Sequence, residues 1–243
     1  MNIRKRFKKY KFIKFFLFLF FAFNQVWGQS HSEISRQLRI DYNPTYYINP
    51  GLSIFGEFGI HKELEKNGLS RYVIKPSMRL FLGGRFYFTA GVGNFITVGR
   101  GFTSLWEIRP YQGISVTWPY WRIPLQHYLR LEERFIFETD NWRYSNALRL
   151  RYSLSISHRW GMIHPGQFWR VDLAAEAFIT VWNTHGKLPK QGRITFGADR
   201  SFNFEQRVRI EVIWQQEQLV FDLRQTAKDL YFRLRFYQTW GNM

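Results

Sequence analysis

The sequence predicts an all-β protein: a closed antiparallel transmembrane β-barrel of the outer-membrane type. Three observations point there. Apolar and polar residues alternate along most of the chain, the alternating stretches are longer than ordinary strands, and tryptophans gather at their ends. The chain has 243 residues, 20% of them aromatic, and no cysteine. Zero cysteine excludes disulfide frameworks, Cys-ligated zinc, iron–sulfur clusters, a thiolate nucleophile and a lipidated N-terminal cysteine. The aromatic content excludes a disordered basic tail.

The first element is a targeting segment. Arg4, Lys5, Arg6, Lys8, Lys9, Lys11 and Lys14 precede an uninterrupted apolar run, Phe15 to Phe23, and Val26 and Gly28 form a signal-peptidase-like site. We expect residues 1–28 to be a signal peptide cleaved after Gly28, leaving 29–243 as a single barrel domain. Nine apolar residues are too few to cross about 30 Å of hydrocarbon as a helix. The formal net charge is +17. Seven of the basic residues and none of the acids fall in 1–30, so 28 basic residues against 18 acidic remain beyond it. Much of the apparent nucleic-acid-like charge is therefore a targeting feature, and no nucleic-acid partner is expected.

Strand candidates follow in order: 36–48, 52–63, 71–82, 84–97, 104–118, 124–138, 142–158, 167–182, 191–202, 206–217 and 228–240. In 148–156, Leu148, Leu150, Tyr152, Leu154 and Ile156 share one face, and Arg149, Arg151, Ser153 and Ser155 share the other. In 206–217, Val208, Ile210, Val212 and Trp214 oppose Arg207, Arg209 and Glu211. A strand sorts such sets by face, whereas a helix would scatter them. Asn49-Pro50-Gly51, Gly83-Gly84, Pro119-Tyr120 and Asn203 mark turns. Many stretches exceed the 9–11 residues, roughly, that a tilted strand needs to span a membrane. Short turns alternate with longer polar links such as 183–190 and 218–227, as in outer-membrane barrels. Eleven candidates would start an exported chain on the wrong side, and bacterial single-chain barrels have even counts. The expectation is therefore 12 strands, with 10 as the alternative.

Trp106, Trp118, Trp121, Trp142, Trp160, Trp169, Trp182 and Trp240 lie within a few residues of strand ends, where interfacial girdles form. A soluble sandwich would instead need a core full of arginine, which is physically unreasonable.

The most distinctive stretch runs from Glu107-Ile108-Arg109-Pro110 through His127, Arg130, Glu132 and Arg134 to Arg149-Leu150-Arg151-Tyr152. Glu176 before Phe178, and Arg193 four residues before Gly197, continue the order. This arrangement resembles an uncharacterised family of exported β proteins, domain of unknown function 2490, over most of 37–240. The resemblance implies a β fold and export, and no assigned chemistry.

The polar face, assigned inward, holds a charge network that could bind anions: Arg109, Arg130, Glu132, Arg134, Arg149, Arg151, Arg170, Glu176, Arg193, Arg207, Arg209, Glu211, Arg233 and Arg235. Arg39, Arg71, Lys75, Arg79 and Arg85 join it as bases, and Asp41, Glu57, Glu107, Asp172 and Asp199 as acids. Arginine's planar fork suits carboxylates, phosphates and sulfates. Two readings stay open. Either Arg–carboxylate ladders fill and lock the barrel, or surplus arginines line a narrow path for small anionic solutes. A barrel enzyme acting on lipid or envelope substrates is the alternative. His127 points outward, and His158, His164 and His185 fall near loops. His61 and Glu57, four apart on one face, hint weakly at a metal; a hydrogen bond is the preferred reading. Gly91 and Gly93 mark a strand end and no phosphate loop. No cofactor or metal is expected. The expected partners are outer-membrane lipids, the barrel-assembly machinery during biogenesis, and a small anionic solute, with the chain as a monomer.

Overall fold

In the computed structural model, residues 34–64, 68–99, 103–120, 123–161, 164–184, 190–218 and 226–241 are described. The expected signal peptide lies outside them. All regular structure among them is β. The strands are β1 (Ile34–Asn49), β2 (Leu52–Phe55), β3 (Phe58–Glu63), β4 (Ser70–Ile74), β5 (Ser77–Gly83), β6 (Phe86–Val98) and β7 (Leu105–Tyr120), followed by β8 (Ile123–Glu138), β9 (Tyr144–Trp160), β10 (Phe168–Asn183), β11 (Lys190–Ser201), β12 (Gln206–Gln218) and β13 (Thr226–Gly241).

One sheet closes on itself. From β6 to β13 each strand pairs antiparallel with the next. The closed circuit continues from β6 through β4 and β3 to β1, giving eleven strands, with β2 and β5 outside it. Those two carry the wall past the other half of β1 and β6. Thr45–Asn49 pairs with β2, β2 with β5, and β5 with Phe86–Gly91. β2 and β3 are thus halves of one stretch interrupted at Gly56-Glu57, and β4 and β5 halves of another interrupted at Lys75-Pro76.

The interruptions have local causes. Pro76 has no N–H to give to a ladder. Its carbonyl instead accepts from the Val92 N–H at 3.1 Å, and the Gly56 N–H donates to the Pro44 carbonyl at 2.9 Å. Gly91 sits opposite. A Cβ there would lie 2.6 Å from the Pro76 carbonyl oxygen and 2.7 Å from the Tyr111 hydroxyl, so only glycine admits this approach.

Two expectations need correction. The closed barrel has eleven strands, neither 12 nor 10, and it is not antiparallel throughout. β1 and β13 pair parallel, from Ile34↔Lys228 to Tyr47↔Gly241. An odd number of consecutive runs makes the first and last point the same way, so they can close a ring only in parallel. The parity rule fails because it assumes antiparallel closure.

The two faces of the wall are inverted relative to an ordinary soluble protein. Outward positions are apolar and exposed: Ile40 is 48% accessible, Ile179 51% and Ile210 61%. Inward positions include Glu132 and Asp199 at 0% and Asp41 at 1%. Exposed Trp118, Trp160, Trp169 and Trp240 cluster at the end bearing the shorter turns, and Trp142 and Trp182 at the other.

Candidate functional site

The inward face gathers charge because alternation delivers every second residue to it, and register then decides who meets whom. Glu132 on β8 faces Arg149 on β9. Arg149 Nε donates to the Glu132 carboxylate at 2.8 Å, Arg130 also pairs with it, and Arg109 stands 3.8 Å away. Arg134 turns instead to Glu107, at 2.6 Å, which also holds Arg109 at 2.7 Å. Arg151 pairs with Glu176, whose other oxygen takes Arg193 at 3.2 Å. Phe178 lies beneath three of these guanidiniums: Arg149, Arg151 and Arg193 sit 4.9, 5.1 and 4.9 Å from its ring centre. Such stacking lets a cation be buried with little water.

A second cluster occupies the end with the shorter turns. Asp199 accepts from Arg170 at 2.9 Å and pairs with Arg207 and Arg209 at 3.3 and 3.2 Å. Arg209 also reaches Asp172 and Glu211, both at 2.5 Å. It reaches Asp172 by crossing Gly197, where a Cβ would meet its guanidinium at 2.6 Å. A third cluster joins β13 to β1 and to the β2–β3 junction. Arg233 holds Asp41 at 2.5 Å and Glu57 at 3.1 Å, and Arg235 holds Glu57 at 3.3 Å. Here Gly59 leaves room for Asp41; a Cβ would sit 1.9 Å from its Oδ1. The fourteen residues of the expected network therefore all face inward, distributed over these three clusters.

Two interior cavities stand out among the described residues. One, of about 490 Å³, lies toward the longer connections and is bordered by Arg39, Arg71, Arg109, Arg134 and Arg149. The other, of about 450 Å³, lies toward the shorter turns, with Arg159, Arg170, Asp172 and Arg209 among its walls. Arg151, Arg193, Arg233 and Arg235 border both. Tied to Glu176, Asp41 and Glu57, these four make a belt across the interior.

The histidines fall on both faces of the wall. His61 Nε2 lies 3.1 Å from Asp41 Oδ1, and Asp41, Glu57 and His61 bring ligand-type atoms within 4.8 Å of one another. Their counter-charge already comes from Arg233, Arg235 and Lys75, the last 3.1 Å from Glu57. His127 faces outward and shares a 2.7 Å hydrogen bond with the Tyr152 hydroxyl. His158 stacks near Trp160, the His164 carbonyl accepts from the Gln167 N–H, and His185 lies outside the described residues. Tyr231, on the polar face with Arg233, lies inside as its parity predicts, and Gln215, Asp229 and Phe178 are interior partners that the sequence reading does not name. Their parity on alternating strands was the available signal, since each shares a face with Arg233, Arg209 or Glu176.

The wall has an outer feature as well. An apolar groove of about 610 Å³ opens where the ladders break, bordered by Ile54, Pro76, Met78, Val92 and Pro110, with Glu133 at its rim.

A family model described as protein of unknown function (DUF2490) matches residues 37–222. Among curated proteins none matches the chain.

Proposed function

The chain belongs to the DUF2490 family of proteins of unknown function, and from that premise we propose that it is an outer-membrane β-barrel locked by Arg–carboxylate pairs. The inversion of its faces carries this reading: exposed Ile40, Ile179 and Ile210 outside, fully buried Glu132 and Asp199 inside. Water around such an outer surface would leave a very large apolar area unsatisfied, whereas lipid accepts it. Its immediate partners are then outer-membrane lipids, reached through the barrel-assembly machinery.

The interior favours a lock over an open pore. A charge taken from water is stable only when paired and hydrogen-bonded, and the belt of Arg151, Arg193, Arg233 and Arg235 is held by carboxylates on strands β1, β10 and the β2–β3 junction. Small anions enter the cavity at the longer connections without crossing the belt. Cell fractionation tests the location: the mature chain, starting at Gln29, is expected in the outer membrane. Recovery of a soluble protein retaining Met1 overturns it. Planar-bilayer recording tests the lock: no steady open state is expected, and a stable ohmic conductance refutes it.

A further inference from the structure

We propose that Arg39 and Arg71 form a binding site for a small oxyanion (a carboxylate, sulfate or phosphate) in the cavity at the longer-connection end. The inference rests on the reading above only in taking that cavity as open to solvent.

The site follows from register. Arg39 on β1 pairs across to His61 on β3, and His61 to Arg71 on β4. Three inward side chains therefore stand in one row. Arg39 and Arg71 straddle a single strand, about 9–10 Å apart at the backbone, and both border the cavity. Both guanidinium arms reach into the same cavity, where an anion can meet donors from each.

What sets these two apart is their partners. Arg39 Nη2 donates to Gln37 Oε1 at 3.0 Å, its guanidinium lies 3.5 Å from the Tyr231 ring centre, and its buried Nε has no hydrogen-bond partner. Arg71 Nε donates to Thr97 Oγ1 at 2.9 Å. Among the described residues no carboxylate pairs with either. Acids on the same face are engaged by neutral donors: Glu63 accepts from Ser35 and the Leu69 N–H, and Asp229 from Tyr231 and Gln215. His61, between the two arginines, is turned to Asp41. Two like charges on one face repel unless something anionic sits between them. A forked guanidinium on each side presents parallel N–H donors, the geometry that oxyanions accept. Chloride, a single spherical acceptor, lacks the separate oxygens that match the parallel N–H pair of each fork.

The test is thermal unfolding of the full mature protein in detergent, comparing sodium sulfate, phosphate and acetate with sodium chloride at matched ionic strength. Ligand that binds only the folded state raises the midpoint with concentration. Wild type is expected to gain stability in at least one oxyanion series beyond chloride, and the series that does so identifies the class. Arg39→Gln and Arg71→Gln should each weaken that response by about tenfold or more in apparent affinity. In chloride alone each should unfold at or above the wild-type temperature, because a repulsive pair has been removed. Lys62→Gln, on the outward face of β3, should keep the wild-type response. No oxyanion-specific gain in wild type, or an undiminished gain in both variants, overturns the site. Should one variant fail to fold, the other decides alone. Bilayer conductance is read separately, so an ohmic pore with intact binding refutes the lock and leaves the site standing.

Discussion

Asp199 and Arg39 face the same interior from opposite ends of the barrel, and their surroundings are opposite in kind. Around Asp199, three carboxylates share Arg170, Arg207 and Arg209, and Arg209 alone touches all three. Around Arg39 the partners are an amide, an aromatic ring and a second arginine across the row. The first arrangement is self-sufficient: each charge has its counter-charge built in, so it fixes strands to one another. The second has no carboxylate partner among the described residues, so an added oxyanion is expected to stabilise it. One alternating pattern thus yields a locked cluster around Asp199 and a receptive pair at Arg39 and Arg71, and only the placement of the acids differs.

The largest effect should come from removing an acid that holds several arginines at once. Asp199→Ala or Glu132→Ala strands two or more buried arginines, and each should lower stability by about 3–5 kcal/mol. Arg39→Gln in chloride should stay within about 1 kcal/mol of wild type, because the stacking lost on Tyr231 is offset by relief of the repulsion with Arg71. Denaturant unfolding of the refolded protein, followed by tryptophan fluorescence, reads all three. Equal losses at Asp199 and Arg39 would erase the distinction between the two ends.

Next in size is the distinction between inside and outside on which both ends depend. Leu150 faces outward between Arg149 and Arg151, which face in. Leu150→Arg should cost about 2–4 kcal/mol in a bilayer if it lies near the midplane. Arg149→Leu leaves Glu132 with Arg130, so its loss should be smaller. A comparison of folded fractions in lipid vesicles checks the order, and the reverse order would mean that β9 is registered the other way.

A finer test concerns how the lock is fitted. Gly197→Ala places a methyl against the Arg209 guanidinium, whereas Gly192, on the same strand, has nothing within 4 Å of its Cβ position. Overpacking at 197 should cost about 1–3 kcal/mol, and the change at 192 should stay within about 0.5 kcal/mol. Equal midpoints for the two variants would show that Arg209 finds Asp172 without that gap.

Much of this was readable from the chain. The eleven alternating stretches correspond to the eleven runs of wall, because alternation is a local property and each strand carries it alone. Closure is not local. Nothing within 36–48 or 228–240 announces that they pair with each other, and an argument from parity supplied strands that the ring does not need. The interruptions at Glu57 and Pro76 were likewise hidden, since a stretch keeps its alternation across a break. For the interior, facing followed from parity, so the arginines could be named. Their partners could not, because Arg233 meets Asp41 only through the parallel closure, 192 residues away in sequence. The missing acids near Arg39 and Arg71 depend on the same three-dimensional neighbourhood.

The smallest expected effect tests the outer face alone. Glu133 is exposed on β8 between Leu131 and Phe135, opposite Leu148 and at the rim of the apolar groove. Its neighbour Glu132 is fully buried, so adjacent residues of one type occupy opposite environments. A carboxylate on a lipid-facing wall is unfavourable, less so than arginine, and by only about 0–1 kcal/mol when it lies near an interface. Glu133 stands five positions before the strand end at Glu138, which places it toward that milder limit. Glu133→Leu should therefore leave stability unchanged or raise it by up to about 1 kcal/mol in bilayers, measured beside Glu132→Leu, which should lose several times that amount by stranding Arg130 and Arg149. A loss at 133 comparable to the loss at 132 would mean that Glu133 has a structural partner in the wall, and the groove beside it would then belong to the packing of the barrel and not to its lipid-facing surface.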